Sequence, residues 1–264
     1  MSRKRLELAV LAFGAAFLLL IGLSFRPGRR PAATSPGPSP ETTAPAGAGQ
    51  ATTVLSGVDF TESVRGKPVF RIRSEKTVGF GPGAGLLPNW YALEGVELTV
   101  YTEEGTPVTV RGDRADYEER SKKARLTGNV RWTDEDGSLG ETERVEFRPD
   151  TRTLEISAPL HFVRGTFDLR AASGSYDVRG RLVRLTGPVK GSGTGEGSGG
   201  LSELAADGAL FRRTEGLVEL KGNVAASSLS GDRVTADALV LKLEETGKRV
   251  EWARATGHVR GVLA

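Results

Sequence analysis

Leu126-Thr127-Gly128-Asn129-Val130 decides the fold, because it returns. Leu185-Thr186-Gly187-Pro188-Val189, Leu220-Lys221-Gly222-Asn223-Val224 and Ala255-Thr256-Gly257-His258-Val259 repeat it, and Ile156-Ser157-Ala158-Pro159-Leu160 is a degenerate copy. The anchors at 128, 158, 187, 222 and 257 lie 30, 29, 35 and 35 residues apart. A period in this range marks a repeat architecture, in which each unit buries its apolar face only against its neighbours.

Each copy alternates in steps of two. Ala124, Leu126, Gly128, Val130 and Trp132 are small or apolar, and Arg125, Thr127, Asn129 and Arg131 between them are polar. That is a half-buried β-strand with one dry face. The same parity holds for Leu154, Ile156, Ala158, Leu160 and Phe162, and for Val218, Leu220, Gly222, Val224 and Ala226. The alternating three-and-four spacing of apolar residues that a helix requires is missing from these segments. A glycine in mid-strand weakens it, so its return calls for a bend, a bulge or a close backbone approach, or else simple packing in a sandwich.

Tyr117, Phe147, Tyr176 and Phe211 each precede an anchor by 11 residues, with charged, turn-like segments such as 118–123, 149–152 and 178–181 between. Each unit therefore reads as a β-hairpin of roughly 30 residues with a charged turn. Leu55-Ser56-Gly57-Val58 and Leu93-Glu94-Gly95-Val96 are relatives in which the apolar residue follows glycine by one position, not two. They are the same theme in another register, or a different strand type.

The N-terminal fifth is organised differently. Leu8 to Phe25 holds 18 residues without a charge, enough for a helix of roughly 27 Å, close to the hydrocarbon thickness of a bilayer. We read residues 1–26 as a cytoplasmic tail with an uncleaved transmembrane anchor, and residues 27–53, rich in Pro, Ala, Ser and Thr, as an extended tether. The β-body is expected over 54–264, with the Gly/Ser stretch 191–200 a loop inside one continuous sheet. Residues 1–50 carry a charge of +4 and residues 51–264 a charge of −1. The basic excess of the whole chain thus belongs to the anchor segment, and the body has no nucleic-acid footprint.

Catalytic signals are weak. The chain has no cysteine, which removes disulfides, thiol nucleophiles and thiolate metal sites. His161 lies on the polar parity of its strand, and His258 stands where other copies have Asn. Asp134-Glu135-Asp136-Gly137 reads as a hairpin turn and lacks the fuller ligand spacing of calcium loops. Asp113 and Asp116 have no accompanying base or nucleophile. Residues 79–88 are glycine-rich but do not match a phosphate-cradling loop. The expectation is a protein that is not an enzyme and uses neither cofactor nor metal.

A short tail, one anchor helix, a Pro-rich tether and L-T-G-N-V strands together resemble the LptC family, with an OstA-like β-jellyroll. The likeness is carried by Gly66-Lys67-Pro68-Val69-Phe70-Arg71-Ile72 leading to Leu93-Glu94-Gly95-Val96, and by the hairpin from Ala115-Asp116-Tyr117 to Val130; the copies from Val145 to Val259 look like further OstA repeats. The resemblance implies a single-pass inner-membrane protein with its bulk in the periplasm. It would receive lipopolysaccharide from an inner-membrane ABC transporter and pass it to a soluble periplasmic OstA-like bridge protein. On that implication the inward residues Leu126, Val130, Trp132, Ile156, Leu160, Phe162, Val189 and Val224 contact lipid. The last strand, with Ala255, Gly257 and Val259, is then the edge that meets the bridge protein, because an unpaired edge accepts a further strand. The rival reading is an anchored structural or adhesive β-repeat protein with a filled core and no lipid.

Overall fold

The computed structural model describes residues 50–81, 89–165, 167–193, 201–244 and 250–262, all within one compact unit. The expected anchor and most of the expected tether lie outside the described residues. Among those residues the only helical turn is a short 3-10 turn, Arg213–Glu215, and no helix is long and apolar enough to cross a membrane.

Among the described residues sixteen strands form one antiparallel sheet. They are β1 (Gln50–Val64), β2 (Lys67–Gly81), β3 (Trp90–Tyr101), β4 (Pro107–Glu118), β5 (Lys123–Thr133) and β6 (Leu139–Arg148), then β7 (Thr153–Ile156), β8 (Leu160–Arg164), β9 (Phe167–Ala171) and β10 (Ser173–Asp177). β11 (Leu182–Gly193), β12 (Leu201–Arg212), β13 (Leu217–Ser228), β14 (Arg233–Leu243), β15 (Val250–Thr256) and β16 (Arg260–Val262) complete it. Neighbours in sequence are neighbours in the sheet, so this is a meander. β7 with β8, and β9 with β10, act as single strands broken in the middle; β6 pairs with both halves of the first, and β11 with both halves of the second. Pro159, which has no N–H to offer a ladder, accounts for the first break, where a continuous strand was expected from parity. The sheet starts at Gln50, inside the segment read as tether, because 50–53 pair with 79–81. β11 and β12 pair on either side of the Gly/Ser stretch, so the sheet continues across it.

The recurring glycine is a bulge. Gly128 and Asn129 both have positive φ, +78° and +46°, and the β5 pairings slip there against both neighbours. Gly222-Asn223 repeats this in β13. Left-handed backbone suits glycine, and asparagine tolerates it better than most residues. Two left-handed residues restore inward parity at the second position, so Val130 and Val224 point inward and are buried. In β3 only Gly95 is left-handed, and the buried residue is Val96, one position on. This explains the early relatives: the same left-handed glycine bends the strand, but the β3 pairings with β2 and β4 keep register there, so no extra residue is inserted.

The bulges line up across the sheet and fold it along its midline. Turns of a meander alternate between two rows. One row holds the turns at 65–66, 102–106, 134–138 and 229–232; the other holds 119–122, 149–152, 178–181 and 213–216. Side chains of the two rows meet, so the two halves of each strand face one another across a shared interior. Aromatic pairs cross that interior: Phe70 with Phe147 at 5.2 Å, Phe162 with Phe211 at 5.2 Å and Phe60 with Tyr117 at 5.1 Å between ring centroids. A single apolar cluster runs from Val69 to Leu243. This is a folded-over jellyroll and not a closed barrel, because among the described residues β1 pairs only with β2, and β15 and β16 pair only with β14.

The bulge also makes a testable demand. A Cβ on Gly128 would lie 2.7 Å from the Asp113 carboxylate, besides adopting a left-handed φ. Gly128→Ala is expected to lower stability by about 1–3 kcal/mol, since the left-handed region alone costs about 1–2 kcal/mol for an L-residue. Urea denaturation checks this; an unchanged midpoint would mean that the bulge does not hold the fold line.

Candidate functional site

The eight residues expected to face inward are brought together. Leu126, Val130, Trp132 and Phe162 are 0% exposed, Val189 is 1%, and Ile156, Leu160 and Val224 are 2%. All belong to the same apolar cluster. They pack against one another and against the facing half-sheet.

The interior opens at its two ends. At the N-terminal end a cavity of about 380 Å³ is lined by Leu55, Val58, Phe60, Tyr91, Leu93 and Tyr117, with Glu62, Glu119 and Lys122 beside them. At the C-terminal end a cavity of about 320 Å³ is lined by Leu201, Val234, Leu239, Leu241, Val250 and Ala255 among others. Mostly apolar walls with a few charges beside them fit a chain-like, amphipathic ligand better than a polar one.

Along its length the interior is shut by charged side chains from the two rows of turns. Arg213, 1% exposed, places Nη1 2.8 Å from Oδ2 of Asp134, itself 2% exposed. Its Nη2 pairs with Asp136, and it donates to the Tyr176 hydroxyl. Asp134 Oδ1 accepts from the backbone N–H of Asp136 (3.0 Å) and of Ser138 (3.1 Å), which shapes the turn expected from Asp-Glu-Asp-Gly. Burial pushes the Asp134 carboxyl above the usual carboxylate range, with Arg213 opposing. Burial also pushes the Tyr176 hydroxyl up to about 12. For Arg213 burial acts to lower the pKa, but Tyr176, Asp134 and Asp136 outweigh it, and the guanidinium stays charged. Sequence reading identified the turn but not its partner, because Arg213 lies 77 residues from Asp136.

The midline carries a second polar motif, on the outer surface. Asn129 Nδ2 donates to Asp113 at 2.8 Å, and Asn223 Nδ2 donates to Asp207 at 2.8 Å. His258 Nδ1 lies 2.8 Å from Asp237, so the histidine does the work of the asparagine it replaces. The recurring short segments Gly112-Asp113, Ala206-Asp207 and Ala236-Asp237 were a usable signal for these partners. His161 bridges Glu141 (3.3 Å) and Asp168 (2.9 Å), half-buried on the outer face. Asp116 is also half-buried, and burial raises its pKa. None of these groups meets a nucleophile. Among the described residues no cluster of His, Asp and Glu is arranged to hold a metal ion.

The C-terminal edge differs from the single last strand expected to hold Ala255, Gly257 and Val259. It is split into β15 and β16 at 257–259, because Gly257 and His258 take the same left-handed bulge, at φ +67° and +39°. Ala255 packs against the core, Gly257 sits in the bulge, and Val259 is 52% exposed. A short terminal strand and a bulge are ways of blunting an edge. The opposite edge, β1, is long and lightly covered, with Val54 67% and Val64 56% exposed.

A folded sheet with an apolar interior, end openings and, among the described residues, two free edges defines an open-edged β-jellyroll. The family described as "Lipopolysaccharide-assembly, LptC-related" matches residues 50–194, more than half of the chain, and the chain belongs to this family. It is thus a component of lipopolysaccharide transport. No curated protein matches the chain. The strands beyond residue 194 extend the same sheet past the matched region.

Proposed function

We propose that this chain is the membrane-anchored periplasmic relay that takes lipopolysaccharide from an inner-membrane ABC transporter and delivers it to a soluble β-jellyroll bridge protein. Membership of the LptC family supports the cargo. The observation that carries the transfer role is the continuous apolar interior, which runs from Val69 to Leu243 and reaches both open ends. Acyl chains gain about 0.8 kcal/mol per buried CH₂, and Leu126, Val130, Trp132, Ile156, Leu160, Phe162, Val189 and Val224 supply such a surface. The free β15–β16 edge, with Ala255, Gly257 and Val259, offers unpaired backbone groups to a partner strand. The uncharged run at 8–25 is the anchor in this reading, and 27–49 the tether.

Photocrosslinking in cells from Val130 and Phe162, with outward-facing Arg131 as control, tests the cargo. A lipopolysaccharide adduct is expected from the inward positions alone. The rival reading, a structural envelope protein, draws support from the tightly packed interior, and it predicts no adduct from any of the three. The partner edge has its own test. Deleting residues 250–264 is expected to abolish capture of the bridge protein while the remaining body still melts cooperatively, since most of β15 and β16 is exposed. Retained capture by the stable truncated chain would move the docking edge to β1.

A further inference from the structure

The seam between the two rows of turns has a consistent polarity. In the contacts that cross it, the cations come from one row and the acceptors from the other. Lys122 faces Glu62 at 3.9 Å, Arg179 faces Glu103 at 2.6 Å and Arg181 faces Glu135 at 2.8 Å. Arg152 Nη1 donates to the Tyr101 carbonyl at 2.9 Å, and Arg213 holds Asp134 and Asp136. Backbone hydrogen bonds join neighbouring turns within a row: Val178 N–H to Arg152 O, Arg213 N–H to Arg181 O and Leu243 N–H to Gly216 O. Among the described residues no backbone hydrogen bond crosses the seam. Everywhere else the two half-sheets are joined covalently, through the bulged strands.

We propose that this seam is an ionic latch centred on Arg213, and that the jellyroll opens along it, hinging at the midline bulges, to admit its cargo from the side. The inference rests on the lipid-carrying reading above. Its physical basis is that the inward residues are already packed at 0–2% exposure, so a chain can lie among them only if the half-sheets separate. Separation at the midline would break peptide bonds, and separation between adjacent strands would break ladders of backbone hydrogen bonds. Separation at the seam breaks side-chain contacts alone. Most of those are half-exposed pairs of the kind that contributes little. The buried Arg213 group is the exception, and it closes the seam together with the apolar pairs that face one another behind it, such as Phe70 with Phe147.

The chain has no cysteine, so a pair introduced across the seam is the only one present. In the full chain, Glu103→Cys/Arg179→Cys carrying two spin labels reports the seam width by pulsed EPR. A narrow major distance with a minor wider one is expected. Adding Arg213→Met and Asp134→Asn together avoids leaving a buried lone charge and keeps the Asp134 turn acceptor. It should raise the wider population by about tenfold, from the minor fraction typical of a latched state. One narrow distance, unchanged by those substitutions, would overturn the latch.

The same cysteine pair, bridged by a short bis-maleimide, tests the route with cis-parinaric acid, a fluorescent fatty acid. Bridging should slow the fluorescence rise by about tenfold or more relative to each single-cysteine protein labelled with a monofunctional maleimide. Equal rates would show that chains pass through the ends and would overturn side access. Absence of any fluorescence rise in all forms would defeat the lipid reading, while the EPR distances would still decide whether the seam opens.

Discussion

Arg213→Met is expected to lower the melting temperature of the β-body by on the order of 10 °C. Removing one partner of a buried ion pair leaves the other charge without compensation and costs about 3–5 kcal/mol. In a domain of this size each 1 kcal/mol shifts the midpoint by about 2–4 °C. Here the orphaned group is Asp134, 2% exposed, with Asp136 beside it and no other cation paired to it across the seam. The loss should depend on pH, and its sign follows from the direction of the shift. Burial raises the folded-state pKa of Asp134 above its unfolded value, so the ionised carboxylate opposes folding at neutral pH. That opposition is relieved as pH falls through the raised pKa and the group protonates. Without Arg213 only the hydrogen bonds of its own turn offset the burial, so the deficit should be largest near pH 7 and should narrow as pH is lowered towards the carboxylate range. Paired thermal melts of the two proteins across that span measure it. A deficit that is constant with pH would assign the loss to packing of the arginine stem and not to charge.

Gly140→Ala is the second large effect. Gly140 stands directly across from Trp132 in the β5–β6 ladder, and a Cβ there would fall inside the indole ring. Trp132 is fully buried, and its Nε1 has no hydrogen-bond partner among the described residues, so packing alone holds the ring. An interior at crystal-like density has no room for the added methyl, and overpacking of this kind costs about 1–3 kcal/mol or more. The clash is specific to one neighbour, which makes a double-mutant cycle informative. Trp132→Leu alone should lose stability by leaving a void, but Trp132→Leu/Gly140→Ala should be more stable than the sum of the single losses predicts. Additive losses, read from denaturant midpoints, would mean that the ring and the glycine do not share the space.

Trp132→Leu also bears on function. It removes part of the inward surface at a position close to the seam, where the Asp134 turn begins. The variant should weaken lipid binding while the fold survives.

What the sequence determined by itself is the local alternation. Period-two burial in Leu126, Val130 and Trp132 is written residue by residue, because a strand's two faces differ by one step along the chain. The turns at 118–123, 149–152 and 178–181 were legible for the same reason, as were the repeat and the side chains that turn inward. Tertiary structure alone decided where the sheet folds and what closes it. The glycine signalled an irregularity, but a bulge needs the slipped pairing of both neighbouring strands, and the Asp113–Asn129 contact joins residues of different strands. Arg213 illustrates the limit most clearly. It reads as one more charge after β12, and only the fold-over of the sheet carries it to Asp134 and Asp136. A side chain's burial depends on what the chain places around it, and here the partner comes from a turn seven strands earlier in the meander.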